Sequence, residues 1–113
     1  MSFFDVKNFS RELKVAIDAS MAAAKIIRKY FKGSFEISIK EDQTPVTQVD
    51  IECEKAIKKI LLTTFPEHGF YGEETAFTNK EADYLWLVDP IDGTKSFVRG
   101  YPFFSTQIAL MHK

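Results

Sequence analysis

The sequence predicts a protein of the layered α/β (α+β) class, in which two long helices pack on a few strands. Two observations carry that prediction. Apolar residues recur at helical spacing from Val6 to Lys32 and again from about Asp50 to Phe65. The other apolar runs are short, β-prone and bounded by Gly, Pro or acidic turn residues.

The first helix carries Val6, Phe9, Leu13, Ala16, Ile17, Ser20, Ala23, Ala24, Ile27, Tyr30 and Phe31 along its apolar side, and Gly33 is expected at C′. Lys25, Arg28, Lys29 and Lys32 form its solvated face. Phe35 to Ile39 alternates apolar and polar residues, which predicts a half-buried strand, and Lys40 to Thr44 reads as a loop. The second helix presents Ile51, Ile57, Ile60, Leu61 and Phe65 on one side and stops at Pro66. Glu67-His68-Gly69 is turn-like, and a short aromatic strand, Phe70-Tyr71-Gly72, follows it. A polar loop from Thr75 to Asp83 leads to a β-prone run, Tyr84 to Val88, and then an acidic turn. A helical turn near Lys95 to Val98 and a last strand from Phe103 to about Met111 complete the chain.

With 113 residues the chain has the length of one domain and a modest core. The formal net charge of −1 gives no electrostatic case for nucleic acid or an anionic membrane as a partner. Eleven Phe, four Tyr and one Trp therefore read as core packing, since base-stacking platforms come with a basic groove. Cys53 is the only cysteine, which excludes an intrachain disulfide and reads as a small buried hydrophobe in a reducing, cytoplasmic setting. The N-terminus lacks signal-peptide character, and no apolar run is long enough to span a bilayer. His68 and His112 have no ligand-like spacing and read as surface or turn residues.

The chemistry concentrates at Trp86-Leu87-Val88-Asp89-Pro90-Ile91-Asp92-Gly93-Thr94. Two carboxylates, a backbone carbonyl and a hydroxyl meet there, and hard divalent cations take oxygen ligands of these kinds. Asp-Pro and Asp-Gly are equally turn formers. Gly93 and Thr94 could turn backbone amides to a phosphate if a helix starts there. Glu73 and Glu74 follow Gly72 at a strand end, where paired acids are also commonly just solvated. Asp50 stands three residues after Thr47 at a helix start, a position that helix capping explains as well. Phosphate monoesters are among the slowest substrates to hydrolyse, and divalent ions held by converging carboxylates supply the required charge neutralisation.

Three segments together, Pro45-Val46-Thr47-Gln48-Val49-Asp50, Phe65-Pro66-Glu67-His68-Gly69-Phe70-Tyr71-Gly72-Glu73-Glu74 and Trp86 to Thr94, resemble the inositol monophosphatase family in order and spacing. The resemblance runs from about Lys40 to the C-terminus and implies a magnesium-dependent, lithium-sensitive phosphatase. It implies the sugar-phosphatase αβαβα sandwich, with the two long helices against a mainly antiparallel sheet. It further implies that Glu73, Asp89 and the Ile91 carbonyl hold a first metal and that Asp89 and Asp92 contribute to a second. Glu73, with waters, serves a weaker third and so counts among the catalytic residues. By the same resemblance Thr94 and Asp50 orient and deprotonate the attacking water, and the Gly93 and Thr94 amides bind the substrate phosphate. Thr47 and Glu74 support their neighbours rather than ligate. The implied partner is a small phosphorylated substrate attacked in line by metal-activated water, and a homodimer is expected.

Thr94-Lys95-Ser96-Phe97-Val98-Arg99-Gly100 and Thr44-Pro45-Val46-Thr47 look closer to the histidinol-phosphatase-like branch than to typical inositol phosphatases, which more often carry Thr-Asn at Lys95-Ser96. The branch acting on 3′-phosphates of adenosine bisphosphates is a third possibility. Residues 1–113 are expected to be the N-terminal, metal-binding portion of such a domain. The family's C-terminal half, which holds a further metal-ligating aspartate, is expected to be missing from these residues. That departure leaves a second expectation open: a non-catalytic metal- or phosphate-binding module, or a partner in an oligomer.

Overall fold

The computed structural model describes residues 9–33, 37–39 and 45–113. Helix α1 (Arg11–Tyr30) starts where the Ser10 hydroxyl accepts a hydrogen bond from the Leu13 amide at 3.1 Å. The helix predicted from Val6 thus starts only at Arg11, because Ser10 is an extended cap and Phe9 precedes it; Val6 itself lies outside the described residues. The buried face of α1 is narrow, with Ala19, Ala23 and Ile27 at i, i+4 and i+8, and its two alanines let a second helix approach closely. Lys25, Arg28 and Lys29 are exposed, as expected of a solvated face. The helix ends one residue earlier than its apolar period suggests, with Phe31 as its cap. Lys32 (φ 62°), not Gly33, takes the left-handed position that the sequence assigned to the glycine. Gly33 instead donates its amide to the Tyr30 carbonyl at 2.7 Å. The Lys32 stem lies alongside Gly100, a tertiary contact that local sequence does not reveal.

Strand β1 (Ile37–Ile39) pairs antiparallel with β2 (Pro45–Thr47). All three β1 residues are exposed, so the half-buried strand expected here is not half-buried over its described part. The physical reason is that, among the described residues, β1 pairs with β2 alone, in a ribbon separate from the main sheet. Phe35 and the Lys40–Thr44 loop lie outside the described residues.

Helix α2 (Gln48–Thr64) begins two residues before Asp50 and buries Val49, Cys53, Ile57 and Leu61, with Phe65 at its cap. Ile51 and Ile60, predicted on the same side, are only partly buried. Cys53 is fully buried against α1, its Sγ 3.7 Å from the Ala23 carbonyl. Burial, followed by the charges of Asp50 and Glu52, pushes its thiol up to about 12, as befits an inert core residue. Tyr30 donates to Glu52 at 3.1 Å and ties the end of α1 to the start of α2.

The main sheet has the order β3 (Gly69–Gly72), β4 (Tyr84–Asp92), β5 (Ser105–His112). Strands β4 and β5 are antiparallel, whereas β3 and β4 are parallel, so the sheet is mixed. The polar link between the parallel strands folds back on β3, where Phe70 and Thr78 exchange two backbone hydrogen bonds of 2.9 Å. Register partners Phe70, Trp86 and Leu110 face the two helices and build the core. Tyr71, Leu87 and Ala109 share the opposite face, and all three are exposed. The final strand begins at Ser105 rather than Phe103, because the Phe103 carbonyl is turned toward Gly93.

His68 lies in a turn, as one of its two expected roles has it, but not at the surface. It is buried, stacked between Phe65 (4.7 Å) and Tyr84 (5.1 Å), and its Nδ1 accepts from the Trp86 indole at 3.1 Å. Its position in the turn at the foot of β3 brings the ring under the sheet, where an unpaired indole N–H would otherwise carry a desolvation cost. His112 is exposed at the end of β5 and stacks on Tyr84.

Candidate active site

A regular strand alternates faces, so acids three positions apart point in opposite directions. Asp89 and Asp92 stand three positions apart on β4, which extends through the acidic segment instead of ending at Val88 as expected. Their ladder partners on β5 are Gln107 and Ser105, only two positions apart. The register therefore slips between Asp89 and Asp92, and three steps of β4 oppose two of β5. Pro90, which has no amide to offer the ladder, lies within the slip. The irregularity places both carboxylates on the face that Gln107 occupies, and the Gln107 amide group donates to Asp92 at 3.0 Å. Glu73, at the C-terminal end of neighbouring β3, lines one cleft with Asp89, Gln107, Tyr71 and Leu87.

Asp89 records the electrostatics of this meeting. Burial, followed by the negative charges of Glu73, Asp92 and Asp50, pushes its carboxyl from 3.8 up to about 6, although the Ile91 amide donates to it and opposes the shift. The cluster thus holds several hard oxygen donors whose mutual repulsion a divalent cation would relieve. That donor chemistry fits magnesium. Among the described residues, however, no three His, Cys, Asp or Glu side chains are close enough to hold an ion alone. Backbone carbonyls, waters or further donors would have to complete the shell.

The second part of the site is a hydroxyl–carboxylate pair. Thr47 caps α2 by accepting from the Val49 and Asp50 amides at 3.1 and 3.2 Å. In return the Asp50 carboxylate accepts from the Thr47 amide at 2.9 Å and from the Thr47 hydroxyl, which closes a capping box. The other oxygen of Asp50 accepts from the Thr94 hydroxyl at 3.0 Å, across 44 positions of sequence. The same hydroxyl lies 3.1 Å from the Ile91 carbonyl. It has one proton, so it donates to one of these two acceptors at a time. One Asp50 oxygen serves the helix cap and the other reaches the acidic turn, so a cap does not keep Asp50 out of the cluster.

Gly93 begins α3 (Thr94–Val98) in the left-handed conformation, φ 96°. A Cβ there would stand 2.7 Å from the Phe103 carbonyl. Thr94 is the first helical residue, so its amide is among those that a helix leaves without an internal partner. The structure thus brings Thr47, Asp50, Ile91 and Thr94 into one hydrogen-bonded set, and groups Glu73 and Asp92 around Asp89. Glu74 contributes its backbone amide, donated to Glu54.

Sequence reasoning missed Glu54, Thr106 and Gln107. Glu54 is fully buried on α2, and the available signal is an acid at i+4 from Asp50 on a buried stripe. Gln107 and Thr106, whose hydroxyl donates to the Pro90 carbonyl at 2.8 Å, could be found only from the β4–β5 register.

A sequence profile of the inositol monophosphatase family matches residues 9–113. The chain belongs to the inositol monophosphatase family. It is 49% identical over 94 residues to the bifunctional phosphatase IMPL2, chloroplastic, of Arabidopsis thaliana, a match covering 81% of the chain and 27% of that protein. A histidinol-phosphatase of Chlorobaculum parvum is 36% identical over 100 residues, covering 88% of the chain and 39% of the relative. Among solved structures, the extragenic suppressor protein suhB of Bartonella henselae superposes with a TM-score of 0.86 at 32% identity, covering 91% of this chain and 41% of that one. The α+β arrangement is thus that of the inositol monophosphatase fold. The chain spans about a quarter to two-fifths of the length of these curated relatives.

Proposed function

We propose that this chain carries the metal-binding and water-orienting part of a magnesium-dependent phosphatase that hydrolyses a small phosphate monoester of the histidinol phosphate or inositol phosphate type. The observation that carries the reading is the Thr94–Asp50 hydrogen bond, which joins an acidic cluster to a proton-accepting pair. Glu73, Asp89, Asp92 and the Ile91 carbonyl would hold magnesium, two or three ions in a complete site, which supplies charge neutralisation at the phosphate and a more acidic water. When Thr94 donates to Asp50, its oxygen lone pairs are free to accept from a water molecule. As that water attacks phosphorus, Thr94 takes its proton and passes its own to Asp50, and the ester oxygen departs as the alcohol with a proton from solvent. Thr47 holds the opposite Asp50 oxygen, fixing the carboxylate for this exchange. The Gly93 and Thr94 amides serve the phosphate. Glu74 supports the turn. No covalent phosphoenzyme is required.

Histidinol phosphate is placed first among substrates because Lys95-Ser96 resembles the histidinol-phosphatase-like branch and a histidinol-phosphatase is among the relatives. The reading includes a cytoplasmic homodimer, and the net charge of −1 speaks against nucleic acid. No helix of the described residues is long and apolar enough to cross a membrane. The test is phosphate release from histidinol phosphate and inositol 1-phosphate with magnesium, with and without lithium. It should be run on the 113-residue chain and on the longest polypeptide containing it. Turnover should require magnesium and fall with lithium. Wild-type turnover after Asp92→Asn would remove Asp92 from the site.

A second reading follows because no three carboxylates of the described residues are close enough together to hold one ion. On that reading the 113-residue chain by itself is a non-catalytic module that binds a cation or phosphate within a larger assembly. Rapid turnover by the isolated chain would eliminate it.

A further inference from the structure

Glu54 is a charged residue with no exposed surface, and core positions seldom tolerate one without a specific partner. Its partner is the Glu74 amide, which lies 3.1 Å from each carboxylate oxygen. The carboxylate also lies directly against the β3 backbone: a Cβ on Gly72 would stand 2.2 Å from Oε1 and 2.3 Å from the carboxyl carbon. Gly72 and Glu74 flank Glu73, so a single buried group grips both sides of the residue that faces Asp89. The rest of the turn has weaker holds. The Thr75 hydroxyl is buried without a hydrogen bond, and Lys58, one helical turn beyond Glu54, reaches the Ala76 carbonyl at 3.3 Å in an exposed setting.

We infer that Glu54 is a positioning residue that locks the Glu73 turn to α2 and so sets how tightly the carboxylate cluster takes up a divalent cation. The inference rests on the reading of Glu73 as a cation-binding group. Glu54 acts on that group through the Glu74 amide and the space left by Gly72, without contacting the ion. A buried acceptor that takes up the Glu74 amide spares that amide the cost of lying unpaired in the core, which suits an anchor. Residues that orient ligands in this way typically alter metal affinity by about 10–100-fold when replaced.

Two substitutions separate three roles for Glu54. Glu54→Met keeps the length of the side chain and removes the acceptor; Glu54→Gln keeps an acceptor oxygen and removes the charge. Each variant of the 113-residue chain is tested for Glu74 amide hydrogen exchange in EDTA and for magnesium affinity by calorimetry. Glu54→Met should speed Glu74 exchange and weaken magnesium binding, each by about tenfold or more, while exchange at Ala23 and Trp86 is unchanged. Glu54→Gln should stay within about threefold of wild type on both readouts. Wild-type behaviour of Glu54→Met would reduce Glu54 to core filling and overturn the inference. Equal losses in both variants would make the charge itself the active element and also overturn it. Gly72→Ala repeats the test without altering Glu54: its methyl displaces the carboxylate and should give the Met phenotype, and unchanged Glu74 exchange would count against the anchor. If the wild-type chain took up no magnesium, the functional reading would fail, while the Glu74 exchange ratios would still decide the anchor.

Discussion

Asp89 ionises against its surroundings, because burial and three neighbouring acids favour its proton. Its folded carboxyl, raised from 3.8 to about 6, holds the proton more tightly than the unfolded chain does. The stability this provides is fully present below 3.8 and is lost as pH rises through about 6. In EDTA, the denaturant midpoint of the wild-type chain should therefore fall relative to Asp89→Asn over that interval, leaving the variant the more stable of the two at pH 7.5. Magnesium should raise the wild-type midpoint at pH 7.5 and leave the variant nearly unchanged. Parallel pH profiles for the two proteins would show that Asp89 does not carry this repulsion.

At the scale of elements, the site depends on two junctions. The first is the capping box at the start of α2, where Thr47 serves the helix and holds Asp50. Thr47→Ala should cost about 1–2 kcal/mol, read from the urea midpoint, and a cost below the error of that measurement would contradict the cap. The second is the passage from β4 to α3 through Gly93, with its left-handed backbone and the Phe103 carbonyl at 2.7 Å from the position of a Cβ. Gly93→Ala should destabilise the chain by about 1–3 kcal/mol, measured by thermal or chemical unfolding. A neutral result would mean that the Phe103 segment yields easily. Between these junctions the register slip around Pro90 does the aiming, since without it Asp89 and Asp92 would face opposite sides of the sheet.

At the scale of the whole molecule, one sheet face packs on the helices, whereas on the other Tyr71, Leu87, Ala109 and Met111 are exposed and Leu85 is buried. Trp86 is 2% exposed, lies over the two helices and donates to His68, whereas Met111 on β5 is 46% exposed. Trp86→Ala should cost about 3–5 kcal/mol. Met111→Lys should change stability by about 0.5 kcal/mol or less. Urea unfolding of the two variants checks both values, and comparable losses would mean that the second face is covered in solution. The carboxylate cluster lies at the C-terminal ends of β3 and β4, whereas the His68 stack packs at their N-terminal ends. The cluster can therefore be altered with little effect on the stack.

The sequence by itself determined the two long helices, the ends of the second and the inert, buried Cys53, because helical periodicity is a local property. It began the first helix at Val6, where the Ser10 cap starts it at Arg11. It also identified Asp50, Glu73, Asp89, Asp92 and Thr94 as a group, because three motifs in family order survive without coordinates. It misplaced the left-handed residue after α1, the burial of β1 and the setting of His68, each decided by contacts with distant segments. Only the tertiary structure showed that β3 and β4 run parallel, that a register slip turns Asp89 and Asp92 to one side, and that Thr94 reaches Asp50. The physical reason is pairing: a strand's own residues fix its alternation, but the neighbouring strand's register decides which side each carboxylate faces.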